Sequence, residues 1–339
     1  MLKLSALALA IASAFGVSAA IDGYAPQLGR ATAAESAIQR HLAGDVQAIV
    51  PIEPASGLDP RKVDLGRRLF HDQRLSGDQS LSCASCHALE RGGVDHRRTP
   101  VGMGGAIGGI NTPTVYNCAL NFRQFWDGRA ATLEEQASGP ILNPIEMGAT
   151  WAVVIPRLEA DPLYVAGFTA SYDHGIEAAS ITDALAEFER SLSTPGSRFD
   201  HFLRGEREAI TAEEKAGYAL FVSLGCISCH QGMNVGGNLY ERFGIMGDYF
   251  ADRGDLTPAD QGRYNVTHRE SDRYSFKVPG LRNVALTTPY FHDGSVKTLA
   301  KAVILMARYQ LGAELSARDT ELVVRFLHSL SDPALEQDP

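Results

Sequence analysis

Long apolar runs are missing from this 339-residue chain beyond its first twenty residues. Nothing later approaches the roughly 20 apolar residues that a membrane-spanning helix needs. Low-complexity segments are missing too. With 45% hydrophobic and 21% charged residues, the composition is that of an ordinary globular protein. Positive charge is in deficit: 31 Lys and Arg against 40 Asp and Glu give a formal net charge of −9. That balance argues against a nucleic-acid partner and weakly favours one with a basic patch. Cysteine is scarce, at five residues, which excludes a disulfide scaffold for a chain of this length.

Four of those five cysteines fall in two copies of one motif, Cys83-Ala-Ser-Cys86-His87 and Cys226-Ile-Ser-Cys229-His230. Each reads as a covalent c-type haem site, where two thiols add across the haem vinyl groups and the imidazole becomes the proximal iron ligand. A thioredoxin-like redox pair or half a zinc site is the competing reading. Both copies carry the His and no second Cys pair lies nearby, so haem attachment is the stronger one. Cys118 is left as a buried free thiol with no disulfide partner.

The N-terminus has the form of a cleavable signal peptide over residues 1–20: Lys3, an apolar stretch from Leu4 to Val17, then Ser18-Ala19-Ala20. Export to the periplasm is expected. An N-terminal arm and linker should occupy 21–60, one haem domain 61–205, a second 206–330 and a tail 331–339. Helices are expected near 32–48, 62–71, 133–138, 151–158, 162–172, 181–192 (with Thr182 as N-cap), 211–224, 298–309 and 317–330. Thr211 and Glu214 form a capping-box pattern, and Ser316 with Asp319 marks the last start. Glycine-rich stretches at 91–114 and 232–262 read as long irregular loops. The fold class is mainly α, two cytochrome c-like haem domains with long irregular loops. The second axial ligand of each iron decides between electron transfer and catalysis. Met306 lies on an expected helix and is either core or the ligand opposite His230.

From about Leu65 to Leu330 the chain resembles the bacterial di-haem cytochrome c peroxidases. The strings that carry the resemblance are Leu69-Phe70-His71-Asp72-Gln73-Arg74-Leu75-Ser76, Asn111-Thr112-Pro113-Thr114-Val115, Gln124-Phe125-Trp126-Asp127-Gly128-Arg129-Ala130, Pro144-Ile145-Glu146-Met147, and the run from Leu281 to Gly294. The resemblance implies a peroxidatic N-terminal haem and an electron-transfer C-terminal haem whose Met ligand matches Met306. Trp126 matches the tryptophan between the haems, where it packs and can also relay electrons. Glu146 matches the acidic residue that moves protons during peroxide cleavage, and Gln136 a polar residue of the same pocket. Asn111, Thr287 and Pro289 match a calcium site, though their Pro and Asn content also suits turns. His292 matches a histidine in the adjacent loop.

One departure stands out. Many members close the first haem with a distal His after a segment equivalent to Thr99-Pro100-Val101-Gly102; here Met103 follows, and no His occurs between His96 and His174. An open or Met103-ligated first haem is therefore expected, needing little or no reductive activation. The implied function is reduction of hydrogen peroxide to water, with electrons from a small cytochrome c or cupredoxin, in a homodimer. Two alternatives remain. One is a relative of the methylamine-utilisation maturation enzymes, which oxidise residues of a partner protein and use a tyrosine ligand, for which Tyr309 is close by. The other is a di-haem electron carrier.

Overall fold

The computed structural model describes residues 48–336. The expected signal peptide, most of the expected helix 32–48 and the end of the tail lie outside the described residues. Among the described residues no helix is long and apolar enough to cross a membrane.

The architecture is mainly helical. In chain order the helices are α1 (Pro60–Phe70), α2 (Leu133–Leu142), α3 (Trp151–Glu159), α4 (Pro162–Ser171), α5 (Ala178–Ser191), α6 (Arg198–Leu203), α7 (Ala212–Ser223), α8 (Tyr249–Arg253), α9 (Tyr264–Thr267), α10 (Leu299–Leu311) and α11 (Ala317–His328). Their starts follow local chemistry. Asp59, Asp161 and Thr298 accept backbone N–H groups at the first turns of α1, α4 and α10. The Thr211 hydroxyl accepts from Glu214 N (3.2 Å) while the Glu214 carboxylate accepts from Thr211 N (2.7 Å), closing the expected capping box of α7. Ser316 caps α11 through Asp319 N.

Several boundaries depart from the sequence pattern. Helix α2 runs on through Pro140 to Leu142, and α5 begins at Ala178 rather than 181. Thr182 is not an N-cap. Its hydroxyl donates to the carbonyls of Ala178 and Ala179 inside the helix, and Glu177 with Ser180 forms the cap instead. The stretch 232–262, expected as loop, contains strand β1 (Tyr240–Arg242) and α8. The antiparallel pairing of β1 with β2 (Ser275–Lys277) joins segments too distant in sequence for local patterning to show.

Two hydrophobic cores form around two similar helix crossings. In the first, α1 meets α5 so closely that a Cβ on Gly66 would lie 1.9 Å from the Ala184 carbonyl oxygen. In the second, α7 meets α11, and a Cβ on Gly217 would lie 1.9 Å from the Leu322 oxygen. Only glycine permits either approach. The first core gathers Leu65, Leu69, Phe70, Phe168 and Phe188; the second gathers Tyr218, Phe221, Phe326 and Leu330. Ile49 and the α6 residues Phe199 and Phe202 pack into the second.

The repetition goes further. Asn117 and Asn283 both adopt left-handed backbone before a short turn, as do Phe125 and Phe291. The bridges Gln124↔Ala130 and Tyr290↔Val296 then enclose Trp126 and His292 at equivalent positions. The same offset pairs Asn111 with Lys277. Asn111 N–H donates to the His292 carbonyl (2.7 Å) and Lys277 N–H to the Trp126 carbonyl (2.8 Å), so the two repeats meet in a reciprocal pair of bonds.

Two candidate haem sites and the contact between them

Each Cys-x-x-Cys-His motif sits on a single 3₁₀ turn, Cys83–Ser85 and Cys226–Ser228, at the edge of its own core. His87 N–H returns to Cys83 O (2.9 Å) and His230 N–H to Cys226 O (3.0 Å), so the turn presents both thiols and the imidazole together. The imidazoles are oriented alike. His87 Nδ1 donates to Gly93 O (3.3 Å) and His230 Nδ1 to Val235 O (3.4 Å), leaving each Nε2 as the ligating atom. Burial pushes the proton affinity of both rings down, that of His230 to about 4. The neutral imidazole that binds iron is thereby the stable form. The donor sets fit haem twice over.

Above the first motif, two loops are joined. Met103 N–H donates to the Glu146 carbonyl (2.7 Å), and a Cβ on Gly102 would lie 2.0 Å from the Ile145 oxygen. The Met103 thioether packs into a notch between two glycines, since a Cβ on Gly148 would approach its methyl to 2.4 Å and one on Gly77 its sulfur to 3.0 Å. Glu146 is half-buried, its Oε1 accepting from Asn143 Nδ2 (2.7 Å). Burial raises the Glu146 carboxyl above the ordinary range, against the opposing pull of Asn143 and Arg129. Its charge is felt at the Cys86 thiol, which places it on the first haem's side of the molecule. Gln136 lies half-buried on α2. His96 is held elsewhere: its Nδ1 donates to Thr288 O (2.8 Å) across the repeat interface.

At that interface Trp126 Nε1 donates to Asn111 O (3.0 Å), and its ring centroid lies 6.4 Å from that of His292. Trp126 and Met306 pack against one aromatic cluster, built by Phe243, Tyr249, Phe250, Phe276 and Tyr309. Met306 lies on α10, and Tyr309 one turn on donates its hydroxyl to Asp252 (2.9 Å). The proposed calcium residues come from adjoining loops. The Asn111 amide donates to the carbonyls of Arg97 and Arg98, and the Thr287 hydroxyl to Val284 O. They offer neutral oxygens only, a donor set that suits a hard cation weakly.

Comparison with known proteins decides the family. Residues 60–208 match the family model described as di-haem cytochrome c peroxidase. "Cytochrome c peroxidase Ccp" of Escherichia coli is 52% identical over 286 residues, covering 84% of this chain and 61% of that protein. "Cytochrome c551 peroxidase" of Nitrosomonas europaea is 43% identical over 293 residues, covering 85% and 86%. This chain belongs to the di-haem cytochrome c peroxidase family. A solved structure titled as a MauG-like protein associated with microbial copper homeostasis superposes with TM-score 0.74 at 31% identity, covering 87% of this chain and 97% of that one.

As a member of that family the protein carries two c-type haems, and the repeats place one motif on each core. A polar cluster at their junction had no signal in the sequence. Asp260 is fully buried and accepts from His292 Nε2 (2.7 Å) and from both terminal nitrogens of Arg253, which also reaches Asp293 (2.9 Å). Burial alone would raise the Asp260 carboxyl, but the His292 and Arg253 donors hold it far below the ordinary range. Phe276 stacks on the His292 ring at 4.4 Å. Arg253 and Asp260 lie in or beside a glycine-rich stretch with no motif, and only the folded chain brings them to His292. Lys277, on β2, was equally invisible.

Proposed function

We propose that this protein reduces hydrogen peroxide to water in the periplasm, taking single electrons from a small cytochrome c or cupredoxin. The observation that carries the reading is the asymmetry of the two sites: Glu146 for the first, with no histidine in the loop segment where many members place the distal ligand, and Met306 for the second. The balanced reaction joins one peroxide, two electrons and two protons to give two waters. Haem iron, when bound by His87, supplies the centre at which peroxide binds and is reduced.

The chain's own residues then have distinct tasks. Glu146, oriented by Asn143, takes a proton from one peroxide oxygen and returns it to the leaving oxygen. Gln136 adds a polar group to that pocket. Met103 sits in its glycine notch, so a haem held by His87 would keep a position free for peroxide and need little reductive activation. His96 is committed to Thr288 and does not replace the missing ligand. Trp126 carries electronic coupling across the junction, and Met306 would be the further protein ligand of a haem held by His230. The engagement of Tyr309 with Asp252 speaks against the tyrosine ligand of a maturation-type enzyme that oxidises a partner protein.

The two haem units run about 61–205 and 206–330, with α6 packing onto the second. Asn111, Thr287 and Pro289 hold a calcium ion at the junction, and two copies pair as a homodimer. The test is turnover: the exported di-haem protein, given reduced cytochrome c and peroxide, should oxidise two cytochromes per peroxide. No turnover with any reduced donor would favour a di-haem electron carrier.

A further inference from the structure

Lys277 is 8% exposed, and among the described residues its ammonium makes no hydrogen bond or ion pair. A buried ammonium with no counter-charge is costly, and proteins rarely keep one. Burial pulls its proton affinity down to about 8, and among the described residues the one charge interaction it feels is with the Cys118 thiol. The carboxyl beyond that thiol, Glu189, is occupied as the acceptor of the Cys118 S–H. Burial of this ammonium therefore calls for an anion that the described residues do not supply.

Its position says what that anion is. Lys277 is anchored at the repeat junction by its N–H bond to the Trp126 carbonyl (2.8 Å). Two residues on, the Pro279 carbonyl faces the His230 imidazole. In the other direction, Cys118 leads to Glu189, whose charge is felt at Cys83. The lysine thus lies between the two haem attachment sites. Each haem brings two carboxylates, the only anions that haem attachment delivers to the interior. We infer that Lys277 is the counter-ion of a haem propionate at the junction, and so a positioning residue that sets one haem's potential. This rests on haem attachment and not on peroxide turnover, so its failure would leave the proposed reaction standing.

The experiment is a potentiometric titration of the di-haem protein, followed optically, for wild type, Lys277→Met and Lys277→Arg. Loss of the ammonium leaves a propionate unpaired beside iron, which favours the oxidised state. Lys277→Met should lower the midpoint potential of one haem and the melting temperature, while Lys277→Arg keeps both close to wild type. The haem that shifts is the one whose propionate is held; a shift in both assigns a propionate from each. Unchanged potentials in a Lys277→Met protein carrying two haems would overturn the inference, and a raised melting temperature would fit that outcome, because an uncompensated charge had been removed. If Lys277→Met fails to accumulate with haem but Lys277→Arg succeeds, the inference stands, since deleting an unpaired buried charge could not have that effect. If both fail, the site requires a shape rather than a charge and the inference falls.

Discussion

Replacing Glu146 by Gln removes the proton carrier while keeping its shape. The Gln carbonyl oxygen can still accept from Asn143 Nδ2, now at 2.7 Å from Glu146 Oε1, so the loop and its bond to Met103 should survive. What is lost is the group that holds a proton between the two peroxide oxygens. Positioned acid–base catalysis contributes about 10²–10⁴-fold, or about 3–5 kcal/mol of barrier. The expected fall in kcat/KM for peroxide is of that size, with haem content and resting spectra unchanged. The pH profile supplies a second readout. Burial raises the Glu146 carboxyl, so the carboxylate that accepts the first proton exists only above that raised value. Activity should therefore decline on acidification at a pH above the ordinary glutamate range, and Glu146→Gln should abolish that limb. Asn143 favours the charged form, so Asn143→Ala should move the limb to still higher pH. Stopped-flow peroxide consumption with reduced cytochrome c measures both effects. A Glu146→Gln enzyme within threefold of wild type would refute the assignment.

Further outcomes follow from other parts of the molecule. Trp126→Phe should leave the first reaction with peroxide intact but slow re-reduction by the donor at least tenfold; equal steady-state rates would remove Trp126 from the electron route. Arg282 and Asp200 form a fully buried ion pair (2.7 Å), and Arg282 also donates to Ser197, Met233 and Val50. Arg282→Met should cost about 3–5 kcal/mol in denaturant unfolding, with much of it recovered by adding Asp200→Leu. Gly217→Ala forces α7 and α11 apart and should cost at least the roughly 1–3 kcal/mol typical of overpacking, read from the same unfolding curves.

What the sequence made legible was local or motif-borne. The two Cys-x-x-Cys-His turns, the Thr211–Glu214 box and the Ser316 cap each need only three or four neighbouring residues, and all three are formed. Thr182 misled because a threonine near a helix start can cap it or, as here, bond back to the preceding turn from inside. The expected end of α2 near 138 fell short, because the helix runs on to Leu142 and holds Pro140 within its last turn. The β1–β2 pair, the Asp260–His292–Arg253 cluster and the isolation of Lys277 were illegible because each depends on segments far apart in the chain. The second repeat was partly hidden as well. Trp126 and His292 differ in chemistry, and only their shared backbone shape reveals that they occupy equivalent positions.

The asymmetry of the two haems is tested most directly by the EPR spectrum of the oxidised, resting protein, recorded before and after one equivalent of peroxide. An open first iron and a His230/Met306 second iron predict one high-spin and one low-spin ferric signal, with the high-spin signal lost on peroxide addition without prior reduction. Two low-spin signals, with no response to peroxide until the second haem is reduced, would contradict it.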